Sequence, residues 1–277
     1  MNFALAFGQL IATTGPTQAL PAPYWLLTAL HWLTLLLHLL AMNLLVGFVL
    51  VLLFARRNPA AGSFAGTAAK LLPVLLAATI TLGVAPLLFL QAVYGQFFYS
   101  ASIVSAWNWF LLIPVLIATY YLCYALALRS APAGKARWVM PVLVTIGLVY
   151  VSFTLTMVFD LAEKPQLWSA LYLASPTGLS LNPNFGETLF RWAHTIAGAI
   201  AVAGLGVQIF ALYHPKHRSN RELLTWGGKV FIMAAAKATI LALIYLWLID
   251  RDVLAGFLAS PGLHAILTAT VLTTAAV

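Results

Sequence analysis

The chain is written in long apolar runs broken by short polar segments. A helix needs ~20 mostly apolar residues to cross the hydrocarbon core of a bilayer. Seven runs qualify: residues 24–54, 71–94, 106–128, 139–159, 188–213, 224–249 and 255–277. The pattern predicts an all-α, polytopic membrane bundle of about seven transmembrane helices, a single domain over residues 24–277. Residues 1–23 are too short and interrupted to span. They are expected to form an interfacial segment outside, and they lack the basic start of a signal peptide. Pro86 and Pro114 are expected to kink their spans. The longest polar stretch, 160–187, reads as an outer loop whose Trp168, Tyr172 and Phe185 lie on the membrane surface or against a partner.

Charge sets the orientation. Arg56 and Arg57 follow the first run, Arg129, Lys135 and Arg137 the third, and Lys216, Arg218 and Arg221 the fifth. The opposite breaks carry Asp160, Glu163, Lys164, Glu187, Asp250, Arg251 and Asp252. Basic loops stay cytoplasmic, so the N-terminus is expected outside and the C-terminus inside, as a multi-pass protein of the bacterial inner (cytoplasmic) membrane. Composition agrees: 63% of residues are hydrophobic and 7% charged, against about a quarter charged in a soluble domain. The lipid bilayer is therefore the first partner. The net charge of +8 does not point to nucleic acid, because the basic residues cluster in topology-setting loops. Cys123 is the single cysteine, so there is no disulfide framework, and no Cys-x-x-Cys-His run for covalent haem attachment is present.

Ionisable groups are costly in hydrocarbon and usually functional there. The runs hold few: His31, His38, His194, His264 and Lys237. His214 and His217 belong to a basic loop. His31 and His38 are seven residues apart, so they point nearly the same way with ~10 Å between them along the axis. Two ligands so placed serve two sites rather than the two faces of one haem. In the expected orientation all four histidines fall in the outer half of the membrane. Imidazoles on facing helices at matched depth are how a bundle holds haem iron. Zinc or copper is disfavoured, since no carboxylate or thiolate lies at that depth. One membrane histidine is often a plain interhelical hydrogen bonder, but four in one leaflet without acids for a proton relay favour haem. Lys237 stands mid-run with no acid at its level. It either snorkels or contacts a quinone, a buried carbonyl or a partner subunit. Arg191, one turn before His194, suits a haem propionate or an interfacial anchor. Trp107, Trp109, Tyr120, Tyr121 and Trp138 read as interface belt.

The order of these features resembles subunit I of the cytochrome bd quinol oxidases. Leu33-Thr34-Leu35-Leu36-Leu37-His38, with Gly47 following, resembles the first helix of that family. Thr81-Leu82-Gly83-Val84, Phe89-Leu90-Gln91 and Gly95 resemble its second. Leu181-Asn182-Pro183 and His194-Thr195-Ile196-Ala197-Gly198 resemble its Leu-Asn-Pro and His-Thr elements, and the similarity covers residues 24–250. The resemblance implies that His38 ligates a haem in the active-site position and that His194 ligates a low-spin haem b. The family pairs the latter with a Met after its sixth helix; here His264 stands near that place. A His194–His264 haem b is therefore expected, at a lower potential than Met ligation would give. His31 has no counterpart and is left for an additional haem shared with a partner or another helix. Three departures count against oxygen reduction by this chain alone. The third run has no Asp or Glu where the family has carboxylates. A short turn at 250–255 replaces the quinol-binding loop, and the later helices with their haem-ligating Glu do not follow.

The expectation is a haem b electron-transfer subunit of a quinol-linked oxidoreductase complex. It would pass electrons between a membrane quinone and an outside c-type cytochrome or iron–sulfur subunit, beside a second membrane subunit. Two alternatives stay open. One is a split bd-type oxidase whose partner chain supplies the missing Glu and loop. The other is a haem-free membrane anchor or transporter with structural histidines, although the sequence lacks the internal repeat common in transporters.

Overall fold

The structure, a computed structural model, describes residues 20–54, 57–128, 136–213, 220–262 and 268. Regular structure among them is helical: α1 (Tyr24–Phe54), α2 (Pro59–Val104), α3 (Ala106–Phe110), α4 (Leu112–Leu128), α5 (Ala136–Ala162), a 3₁₀ turn (Pro165–Leu167), α6 (Trp168–Ala174), α7 (Phe185–Tyr213), α8 (Asn220–Leu248) and α9 (Arg251–Ala259). Helices satisfy their own backbone groups, which is what a chain this apolar needs in hydrocarbon. Six stretches among the described residues are long and apolar enough to cross a membrane: α1, α2, α3 with α4, Val139–Ala162, α7 and Arg221–Leu248. Most of the expected seventh run, His264 included, lies outside the described residues, as does nearly all of the N-terminal segment 1–23.

The second span is longer than its apolar run. Asn58 opens α2 by accepting the backbone N–H groups of Ala60 (2.9 Å) and Ala61 (3.2 Å), with Pro59 at the first helical position. The helix then runs for 46 residues, ~69 Å at the α-helical rise, so both of its ends outlast a ~30 Å hydrocarbon core. Its non-helical backbone is at Tyr94 (φ −125°, ψ 28°), not at Pro86. In the third span the interruption falls at Leu111, between α3 and α4. Pro114 lacks the N–H that the Phe110 carbonyl would receive, which accounts for a break there.

Contacts fix the helix directions. His31 meets the Pro86 carbonyl and His38 the Thr79 carbonyl, so α1 and α2 are antiparallel. Tyr150 of α5 bonds the Asn108 carbonyl of α3 and Gly147 rests on Thr119 of α4, so α5 runs against the third span. Trp192 of α7 donates to Ser152 of α5 (2.9 Å), while Arg191 meets Asp160. Lys164, just past α5, also pairs with Glu187 of α7, so α7 runs antiparallel to α5. The C-terminal parts of α2 and α5 meet at Phe98 and Met157, so α5 runs against α1 and α7 is parallel to α1. Small residues bring the helices close, as they do in membrane bundles. A Cβ on Gly47 would fall 1.8 Å from the Ala203 Cβ, joining α1 to α7; one on Gly204 would fall 2.7 Å from the Gly227 carbonyl, joining α7 to α8.

Two apolar cores result among the described residues. The larger fills the end of the bundle near the α1–α2 turn, with Leu45, Val49, Phe64, Leu72, Val144, Val207 and Leu223 at its centre. The smaller, around Phe98, Met157, Val158 and Leu161, lies at the opposite end. That end carries Asp160, Glu163 and Glu187 and is the acidic end of the bundle. The stretch 160–187 packs on its own chain there. Trp168 Nε1 donates to the Leu161 carbonyl (2.8 Å), Ser105 Oγ to Ser180 O (2.6 Å) and Trp107 N to Gly178 O (3.1 Å). Gly178 takes the left-handed φ of 76° that its turn requires.

Candidate functional site

The three described membrane histidines share one arrangement. Nδ1 of His31 lies 3.0 Å from Pro86 O, that of His38 2.9 Å from Thr79 O, and that of His194 2.9 Å from Ala238 O. A backbone carbonyl only accepts, so Nδ1 carries the proton in each case. The neutral ring then presents a bare Nε2 lone pair. An imidazole oriented through one nitrogen with the other free is the usual state of a metal-ligating histidine. For His38 the orientation is also steric. A Cβ on Gly83 would come within 2.7 Å of its Nδ1, so only glycine leaves room for the ring.

Depth can be read from the helix crossings. Gly47 touches Ala203, and nine residues back along each of these parallel helices stand His38 and His194, both ~14 Å from the crossing. That register puts the two imidazoles within about a turn of one level, His38 leaning on α2 and His194 on α8. His31 is one further step, ~10 Å, toward the acidic end.

At that level the bundle has little core of its own. On α1 no residue between Leu27 and Ala41 is buried, and on α2 only Pro86 is buried between Leu76 and Phe98. On α7 none is buried between Thr188 and Ala197, nor on α8 between Ala238 and Ile249. His31 and His38 are half-buried and His194 is exposed. α1, α2 and α7 pack more tightly a few turns farther on, whereas α8 is little buried along its whole span. Oriented imidazoles beside an exposed apolar stretch are the donor chemistry by which a helical bundle ligates haem. Among the described residues no group of three or more His, Cys, Asp or Glu is placed to hold a bare metal ion. Haem brings its own four nitrogens and needs only one or two from the protein.

The acidic end holds a charge cluster that the sequence reading placed in a loop. Asp160 closes α5 with its side chain 1% exposed. Arg191 reaches it through Nη1 (2.5 Å to Oδ1) and with the same nitrogen reaches Glu163 at 3.0 and 3.1 Å. Lys164 pairs with Glu187 beside them. Asp160 Oδ2 has no hydrogen-bond partner among the described residues. Although 56% of the Glu163 side chain is exposed, its carboxyl end is desolvated, which pushes the pKa up, and Arg191 pulls the other way. The arginine thus has two carboxylate partners from its own chain, both on Nη1.

Lys237 neighbours Ala238, the residue that accepts from His194, and is exposed on α8. An apolar cavity of about 440 Å³ lies elsewhere: it is lined by residues including Asn108, Ile146, Tyr150, Phe153, Met157 and Leu181, and none of the described histidines is among them. Sequence reasoning had no access to the carbonyl partners, which have no side-chain signature, nor to Asp160, whose partner is 31 residues away. Gly83 was visible within the Thr-Leu-Gly-Val segment, though not its steric role. Neither a family model nor a curated protein nor a solved structure matches the chain.

Proposed function

We propose that this protein is a haem b electron-transfer subunit of a membrane respiratory complex, seated with its acidic end outward. The observation that carries the reading is the shared geometry of His31, His38 and His194: each donates Nδ1–H to a carbonyl of a neighbouring helix and frees Nε2 where the bundle lacks core. His38 and His194 hold haem iron, His264 is the sequence-based partner of His194, and His31 serves an additional haem. Arg191 keeps its Nη2 and Nε for a propionate while Asp160 and Glu163 hold its Nη1 in place. Bound haem b supplies a one-electron couple. The chain orients it, tunes it by ligand choice and keeps it from water. Electrons pass between a membrane quinone and an outside c-type cytochrome or iron–sulfur partner, with a second membrane subunit completing the quinone site.

A short-chain quinol added to the purified native complex is expected to reduce a b-type haem, and the outside partner to reoxidise it. A haem d band with quinol-dependent oxygen uptake would select the split-oxidase reading instead. A folded complex without any haem would leave the membrane anchor or transporter.

A further inference from the structure

The feature left unused by that reading is the side of α8 that carries Lys237. Lys237 sits near the middle of the Arg221–Leu248 span and is exposed. Among the described residues it makes no hydrogen bond or ion pair. Met233, one turn before it, is 58% exposed, as is Ile240 one turn after. Apolar side chains can face lipid without cost; an ammonium there cannot.

Its own chain offers no remedy. The whole sequence has six carboxylates, Asp160, Glu163, Glu187, Glu222, Asp250 and Asp252. Asp160 and Glu163, across the bundle near Tyr245, already hold Arg191, and Glu187 holds Lys164. Along α8 and its exit the nearest are Glu222 and Asp250, ~23 Å and ~20 Å away at the helical rise. A four-carbon stem does not bridge that distance, nor does it bring the charge to a headgroup half a ~30 Å core away. The residues after Asp252 hold no acid, and a second copy would bring only more positive charge to this depth. Lys229 on the same helix is different, because it stands near enough to the basic end to snorkel.

We propose that the Met233–Lys237–Ile240 side of α8 is a docking surface for a transmembrane helix of another protein, one that presents an Asp or Glu at the depth of Lys237. The carboxylate neutralises the lysine, and the apolar flanks pack as ordinary helix–helix contact. This interface does not depend on the haem assignment.

The test uses native membranes with a photoreactive amino acid at Ile240. The expected result is one main adduct, to a transmembrane helix of another protein carrying Asp or Glu within about a turn of the linked residue. Its yield should fall at least tenfold in Lys237→Met and persist in Lys237→Arg. Exchanging the charges, Lys237→Glu together with the partner acid→Lys, should restore it even where a single variant is poorly assembled. Adducts confined to lipid, to haem, to this chain or to a second copy would overturn the proposal. So would an acid-free partner helix, an undiminished yield in Lys237→Met, or no recovery on charge exchange.

Discussion

A histidine in hydrocarbon must satisfy its N–H, and His31, His38 and His194 all do so on the backbone of the neighbouring helix. The acceptors are ordinary helix carbonyls, so the bond costs the partner helix little and fixes the tautomer. At His38 the fit depends on Gly83. In Gly83→Val the new side chain would occupy the ring's position, within 2.7 Å of Nδ1 at its first atom. The expected outcome is loss of the haem held by His38, read as a lower haem-to-protein ratio, with the His194 signal kept. The Arg191 cluster gives a second test at this scale. Removing one partner of a buried pair costs ~3–5 kcal/mol, and Arg191→Ala is expected near ~3 because the arginine is itself 32% exposed. In a double-mutant cycle on detergent-solubilised protein, Arg191→Ala with Asp160→Leu should cost clearly less than the sum of the single changes. Strict additivity would mean the pair does not couple.

Among the elements, α7 does most to place the site, and glycine lets it. Gly204 and Gly227 bring α7 onto α8 closely enough for His194 to reach the Ala238 carbonyl. Gly204→Val would drive carbon into the Gly227 carbonyl and is expected to cost ~1–3 kcal/mol. Gly198→Ala on the same helix has open space around it and should stay within ~0.5 kcal/mol; thermal unfolding compares the two. The apolar runs of the sequence recovered the described spans because length in hydrocarbon is nearly all that defines them. They missed the ends of α2, where Gly, Ser, Thr and Gln dilute the apolar signal, although Asn58-Pro59 is a readable start. The run ending at Phe159 put Asp160 outside, since no local signal tells a buried acid from a loop acid. The similar depth of His38 and His194, within about a turn, became legible only through the close approach of Gly47 to Ala203.

For the molecule as a whole, the charge pattern assigns sides that labelling can check. Thr177 lies exposed at the acidic end, and Gly66 lies in open space on the basic extension of α2. Cys123 is buried and should give little background. In intact cells a membrane-impermeant thiol reagent is expected to label Thr177→Cys, and Gly66→Cys only after permeabilisation; the reverse would invert the protein. The larger division is between a well-packed half and a half whose core is missing at the level of the histidines. The measurement that tests this account most directly is the dithionite-reduced minus air-oxidised spectrum of the purified native complex, beside His38→Ala and His194→Ala. A low-spin b-type band that His194→Ala abolishes, with haem content reduced in His38→Ala, is the predicted result. A folded wild-type complex with no haem signal, or one whose spectrum neither substitution changes, would contradict it.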